Sequence, residues 1–151
     1  MSFTVQFNYE NRLPSSTATQ LLFNLNWSAI PFIDRDCDYE LSFCFSTESQ
    51  GASDASTVSK TCILSMPTLG NRNCFLGGKT TTTQSGIELG IIRPYDISTN
   101  YALSSLFSDN PPIVLKGIPT INEVVIEFFN AGRTVRQTVI NWVLMIHFKK
   151  I

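Results

Sequence analysis

An all-β chain is predicted, an antiparallel two-sheet sandwich folded as a single jelly roll of eight or nine strands. Three observations carry that expectation. Apolar and polar side chains alternate with period two, turn residues recur at short intervals, and only residues 98–107 could hold a short helix. The 151 residues suit one domain spanning 1–151, and a chain of that length buries about two-thirds of its surface on folding, so no disulfide staple is needed.

The strands follow in order. Phe3, Val5, Phe7 and Tyr9 alternate with Thr4, Gln6 and Asn8. Leu21, Phe23, Leu25 and Trp27 share one face, opposite Gln20, Asn24 and Asn26. Tyr39, Leu41, Phe43 and Phe45 share another, opposite Glu40 and Ser42. Successive side chains of a strand point to opposite faces, so each pattern describes a half-buried strand. Further strands are expected at residues 58–66, 72–76, 87–93, 113–116, 121–130 and 138–149. Turn chemistry separates them, at Leu13-Pro14-Ser15-Ser16, Gln50-Gly51, Leu69-Gly70-Asn71, Gly77-Gly78, Asn110-Pro111-Pro112 and Asn130-Ala131-Gly132. The stretches 46–59 and 79–85, rich in Ser, Thr, Ala and Gly, read as surface loops.

The last strand is the most informative. Ile140, Trp142, Leu144, Ile146 and Phe148 form an apolar face assigned to the core. The opposite face, Val139, Asn141, Val143, Met145 and His147, is too apolar to be fully wet. On the preceding strand Val124, Ile126 and Phe128 face one way, while Ile121, Val125 and Phe129 alternate with Glu123 and Glu127 on the other. Such mixed faces are covered by another segment of the chain or by a subunit. Val125, Phe129, Val139, Val143 and Met145 are therefore the candidate interface residues.

Composition narrows the function. Hydrophobic residues make up 43% and charged residues 15%, against a usual charged fraction of about 25%, which points toward a surface partly covered by neighbours. Eleven Lys and Arg balance twelve Asp and Glu, and the only basic cluster is Lys149-Lys150, so direct nucleic-acid binding is not expected. The N-terminal residues carry no basic and apolar signal-peptide pattern, and the apolar stretch 139–148 is too short to span a bilayer. A cytosol-like compartment follows as the expectation, with Cys37, Cys44, Cys62 and Cys74 as buried, reduced thiols.

Motifs of chemistry fail on their own terms. Residues 73–80 end in Gly-Lys-Thr like a phosphate loop, but Asn73 replaces the first glycine and the following Thr-rich run is a poor helix start. Asp34, Asp36 and Asp38 match the first three ligands of an EF-hand, yet Tyr39 and Phe45 occupy the turn and bidentate positions; a looser Ca²⁺ site in a loop is the only metal reading left. His147 is the only histidine and sits in mid-strand, without a nucleophile or base beside it in sequence. Asn26-Trp27-Ser28 matches a glycosylation acceptor but lies on an apparent core face. Tyr95 and Tyr101, flanking Asp96 in a loop-like segment, could form a small ligand site. No catalytic residue, cofactor or committed metal site is expected, and the chain is read as not an enzyme.

Several phrases carry a resemblance: Tyr39-Glu-Leu-Ser-Phe-Cys-Phe45, Leu64-Ser-Met-Pro-Thr-Leu-Gly70, Leu89-Gly-Ile-Ile92, Pro112-Ile-Val-Leu-Lys-Gly-Ile-Pro119 and Asn141-Trp-Val-Leu-Met-Ile-His-Phe148. Together, from about residue 20 onward, they resemble the small single-jelly-roll minor capsid and penton-type proteins of large double-stranded DNA viruses. The resemblance implies a structural virion protein, assembled in the host cytoplasm or nucleus. Its partners would be further copies of itself, as a pentamer or trimer, and other capsid proteins. A ligand-binding β-sandwich, lectin-like or a trimeric receptor-binding head, is the alternative.

Overall fold

The computed structural model describes residues 1–17, 19–31, 33–48, 61–69, 87–97, 100–119, 122–130 and 139–151. Its regular elements are strands: β1 (Ser2–Asn8), β2 (Leu21–Asn24), β3 (Asp38–Thr47), β4 (Cys62–Met66), β5 (Ile87–Ile97), β6 (Asn100–Ser105), β7 (Ile113–Lys116), β8 (Glu123–Asn130) and β9 (Trp142–Lys150). Single 3-10 turns follow β1, β2 and β4. Among the described residues there is no α-helix.

Alternation translates directly into burial. In β3, Tyr39, Leu41, Phe43, Phe45 and Thr47 are buried and their neighbours are not; in β9 the same holds for Trp142, Leu144, Ile146 and Phe148. Buried Thr47 keeps its hydroxyl satisfied, because Oγ1 accepts from the Leu103 N–H at 2.8 Å.

All strand pairs are antiparallel, and the order β1-β9-β3-β6-β5-β4-β8-β2 makes one continuous path, with β7 added beside β3. The path curls into a nearly barrel-shaped, sandwich-like body, as aromatic contacts between strands remote along it show. Phe7 of β1 meets Phe23 of β2 at 5.4 Å between ring centroids, and Phe45 of β3 meets Phe128 of β8 at 5.6 Å. Trp142 of β9 lies within 6.1 Å of Tyr9, Phe23, Phe45 and Phe128. Each such pair contributes about 0.5–1.5 kcal/mol beyond its area, so this ring cluster ties the two ends of the path together.

β5 turns the corner. It pairs with β4 through Ile92 and with β6 from Arg93 onward. Near the switch the register shifts: Gly90 faces Leu64 and Glu88 faces Ser65, leaving Leu89 as a bulge residue. Gly90 has φ +149°, and a Cβ there would lie 2.5 Å from Asn110 Oδ1, so the position needs glycine twice over.

Two expectations are corrected. The stretch that could hold a helix contains β6 instead, because Asn-Tyr-Ala-Leu-Ser-Ser is claimed on both sides by long-range ladders with β5 and β3. The core face of the last strand does not run back to Ile140. Asn141 takes the left-handed conformation, φ 52°, and breaks the alternation just before β9. Val139 is consequently the buried residue, 1% exposed, and Ile140 the exposed one, at 39%. The loop expected at 46–59 begins later, since Ser46 and Thr47 still pair with β9 in β3; its residues 49–59, the strand expected at 72–76, the phosphate-loop-like stretch 73–80 and the loop at 79–85 lie outside the described residues.

Candidate functional site

The β1-β9-β3 register fixes the outer face of that part of the sheet row by row. Gln6 and Cys44 flank Met145, while Asn8 and Ser46 flank Val143. Thr4 and Ser42 flank His147, and Thr4 Oγ1 lies 3.1 Å from His147 Nδ1. Gln6 Nε2 donates to Asn8 Oδ1 at 2.9 Å, so the polar residues beside the Val143–Met145 strip are engaged with one another. Val143 is 38% exposed, and Met145 and His147 are half-buried. The result is a nearly uncharged surface, narrow and apolar along its middle.

The outer face of β8 is different. Val125 sits opposite Leu22 of β2, both half-buried. Glu127 accepts from Gln20 Nε2 at 2.9 Å. Phe129 is buried yet stands apart from the main core cluster, in a row with half-buried Ile63 and with Ile91, 44% exposed. Of the five interface candidates, Val125, Val143 and Met145 therefore reach the surface. Phe129 is covered on the outer side, and Val139 belongs to the core because Asn141 reverses its side.

Sequence reasoning missed a second apolar surface. Leu106 and Phe107, 60% and 40% exposed, project from the turn after β6. Asp109 Oδ2 accepts from the Leu106 N–H at 2.7 Å, and the Leu106 carbonyl accepts from the Asp109 N–H at 3.0 Å. Asn110 then fastens the turn to the Ile91 backbone. The Asn110-Pro111-Pro112 turn signal was visible in sequence; the apolar pair before it carries no period to mark it.

A cleft of about 270 Å³ opens at one end of the β1-β9-β3 face. Tyr9, Glu10, Glu48, Asn141 and Val143 are among its walls. The Arg12 guanidinium stacks 4.1 Å over the Tyr9 ring. Trp142, beneath, is buried among aromatic rings, and among the described residues its indole N–H has no hydrogen-bond partner.

At the opposite end lies a small charged cluster. Asp34 Oδ2 accepts from the Cys37 thiol at 3.0 Å and from Lys150 Nζ at 3.1 Å, and Lys116 pairs with Asp38 at 2.9 Å. The hydrogen bond from Cys37, with that from Lys150, holds the Asp34 carboxyl below the ordinary carboxylate range. Hydrogen bonding to the Asp34 carboxylate raises both the Cys37 thiol and the Lys150 ammonium above their usual values. Asp34 and Asp38 are thus each matched by a lysine, and among the described residues no group of three or more His, Cys, Asp and Glu side chains converges for a metal. Cys37 and Cys44 are half-buried and Cys62 is buried. Asn26, of the glycosylation-like triplet, caps a 3-10 turn by accepting from the Ser28 N–H at 3.1 Å, with Trp27 buried beside it. Tyr95 and Tyr101 fall on the paired strands β5 and β6. Among the described residues no helix is long and apolar enough to cross a membrane.

No protein-family model matches the chain, and no curated protein matches it.

Proposed function

We propose that this chain is a structural virion protein: a single jelly roll that self-associates through its outer strand faces and contacts other capsid proteins. One observation carries the reading, the nesting of the strand pairs. With β7 set aside, first pairs with last (β1-β9), second with next to last (β2-β8), then β3 with β6 and β4 with β5. That is a long hairpin wound on itself, giving four-stranded groups β1-β9-β3-β6 and β2-β8-β4-β5. This nesting supports the jelly-roll reading, an architecture of eight antiparallel strands in two groups of four that recurs in viral capsid and lectin domains. Fold alone does not assign function. The low charge and the apolar strip of Val143 and Met145, with Val125 on the other group, favour a subunit whose work is contact.

The reading makes the chain non-enzymatic, with no cofactor and no direct contact to nucleic acid. Among the described residues the hydroxyl of Thr4, itself an outer-face strand residue, is the group hydrogen-bonded to the His147 ring. The virion is the expected location, and a trimer or pentamer the expected assembly. Light scattering coupled to size exclusion tests it, with Val143→Glu/Met145→Glu as the variant that places charge in the contact. A wild-type mass above the monomer that falls in the variant supports the proposal; a wild-type monomer contradicts self-association.

The cleft favours one other reading, a ligand-binding sandwich. Tyr9, Glu10 and Glu48 all line it, an aromatic and two acidic residues of the kind that suits a sugar, with Arg12 stacked on the Tyr9 ring. Glycan-array binding abolished by Tyr9→Ala would support it, and an array without binding would remove it.

A further inference from the structure

The sheet path has two ends, β1 and β2, and the chain treats them differently. A backbone contact between Lys150 N–H and the Met1 carbonyl, 3.0 Å, sets the phase of the β1-β9 ladder. Residues paired in register with that contact, Phe3, Val5 and Phe7, bond to β9; Ser2, Thr4, Gln6 and Asn8 turn their N–H and C=O groups away from it. Among the described residues nothing hydrogen-bonds to the outward backbone groups of Ser2, Thr4 and Gln6, while the Asn8 carbonyl opens the 3-10 turn that follows β1.

The corresponding edge of β2 is closed. Leu22, whose backbone faces away from β8, receives the Leu13 N–H on its carbonyl at 2.7 Å and gives its own N–H to Ser16 Oγ at 2.9 Å. β7, the short strand beside β3, follows Pro111-Pro112. Proteins blunt sheet edges with charge, proline, bulges or a covering loop. β1 lacks the first three: Ser-Phe-Thr-Val-Gln-Phe-Asn carries no charge and no proline, and its register with β9 is unbroken; among the described residues no segment hydrogen-bonds along its outer side.

We propose that the β1 edge pairs with β1 of a second copy about a twofold axis, joining two sheets into one. The occupant follows from self-complementarity. Outward-facing backbone groups must meet outward-facing ones, and the antiparallel register centred on Val5 does this throughout: Ser2 opposite Asn8 of the second copy, and Thr4 opposite its Gln6. On the outer side the facing residues are then neutral and hydrogen-bonding; on the inner side Val5 meets Val5, and Phe3 meets Phe7. No like charges oppose one another, and an isologous contact of this kind closes on itself. The contact stands apart from the virion reading, because it leaves the Val143–Met145 strip free for other subunits.

Gln6→Pro is the first test. It removes an outward N–H and leaves the ladder to β9 intact, a strand setting in which proline is tolerated. The wild-type mass by light scattering is expected to be twice, or a higher even multiple of, that of the variant, with both chains folded by circular dichroism. Equal masses overturn the proposal. The register is tested separately by two charge pairs that lose the Thr4–His147 contact equally. Thr4→Lys/Gln6→Lys sets like charges across the axis and dissociates the pair, whereas Thr4→Lys/Gln6→Glu sets opposite charges there and retains it. If both variants dissociate to the same extent, or neither does, the antiparallel register is wrong.

Discussion

Asn110 acts as a strand neighbour to Ile91: its Oδ1 accepts from the Ile91 N–H at 2.8 Å and its Nδ2 donates to the Ile91 carbonyl at 3.0 Å. The same amide reaches Ser105 Oγ at 3.1 Å, and its side chain occupies the space above Gly90. One side chain thereby fastens the exposed Leu106–Phe107 turn to β5 next to its bulge.

Asn110→Ala should cost about 1–3 kcal/mol, since it strips several hydrogen bonds from a half-buried site. Gly90→Ala should also destabilise, by steric conflict with Asn110 and by its φ of +149°. Removing Asn110 relieves only the conflict, so the double variant should lose less than the two single losses added. Urea unfolding of the four chains measures this, and strict additivity would mean that the two residues do not meet.

Val139→Ala should destabilise by about 1–2 kcal/mol, because a buried branched side chain leaves a cavity. Ile140→Ala should change stability by less than about 1 kcal/mol. Asn141→Val should cost about 1–2 kcal/mol at its left-handed φ of 52°, and Asn141→Gly far less. Thermal melts of these four variants suffice; equal losses at Val139 and Ile140 would contradict the reversal.

Acid should weaken the Asp34 cluster. Because its folded-state pKa is depressed, Asp34 contributes stability above the unfolded value and loses it as pH falls through the folded one. Asp34→Asn should therefore flatten the loss of stability below roughly pH 4, and Lys150→Met should do so in part. Urea midpoints measured across that range check the sign. The raised Cys37 thiol has the companion consequence that its alkylation is slow in the wild type and faster in Asp34→Asn; equal rates would remove the thiol–carboxylate contact.

How much of this was legible follows from which forces are local. Period-two burial is a one-strand property, so β1, β3, β7 and the core face from Trp142 to Phe148 could be read from sequence. The reversal at Val139 could not, because one asparagine in a left-handed conformation changes which face a strand approach presents. β6 was ambiguous for a different reason: Tyr101-Ala102-Leu103 suits a helix as readily as a strand, and only distant partners decide. Pairing order is wholly long-range. Val143 and Met145 could be found because they interrupt an expected polar alternation; Leu106 and Phe107 sit in a turn, where no alternation exists to interrupt.

Assembly through the outer strand faces, as proposed, is open to a direct measurement. Its most direct test is the mass of the Gln6→Pro chain in solution, where the β1 contact is absent and any remaining association must use other surfaces. A trimer or pentamer of the 16.9 kDa chain is expected, falling to a monomer when Val143→Glu/Met145→Glu is added. A Gln6→Pro chain that is already monomeric at every concentration would contradict it.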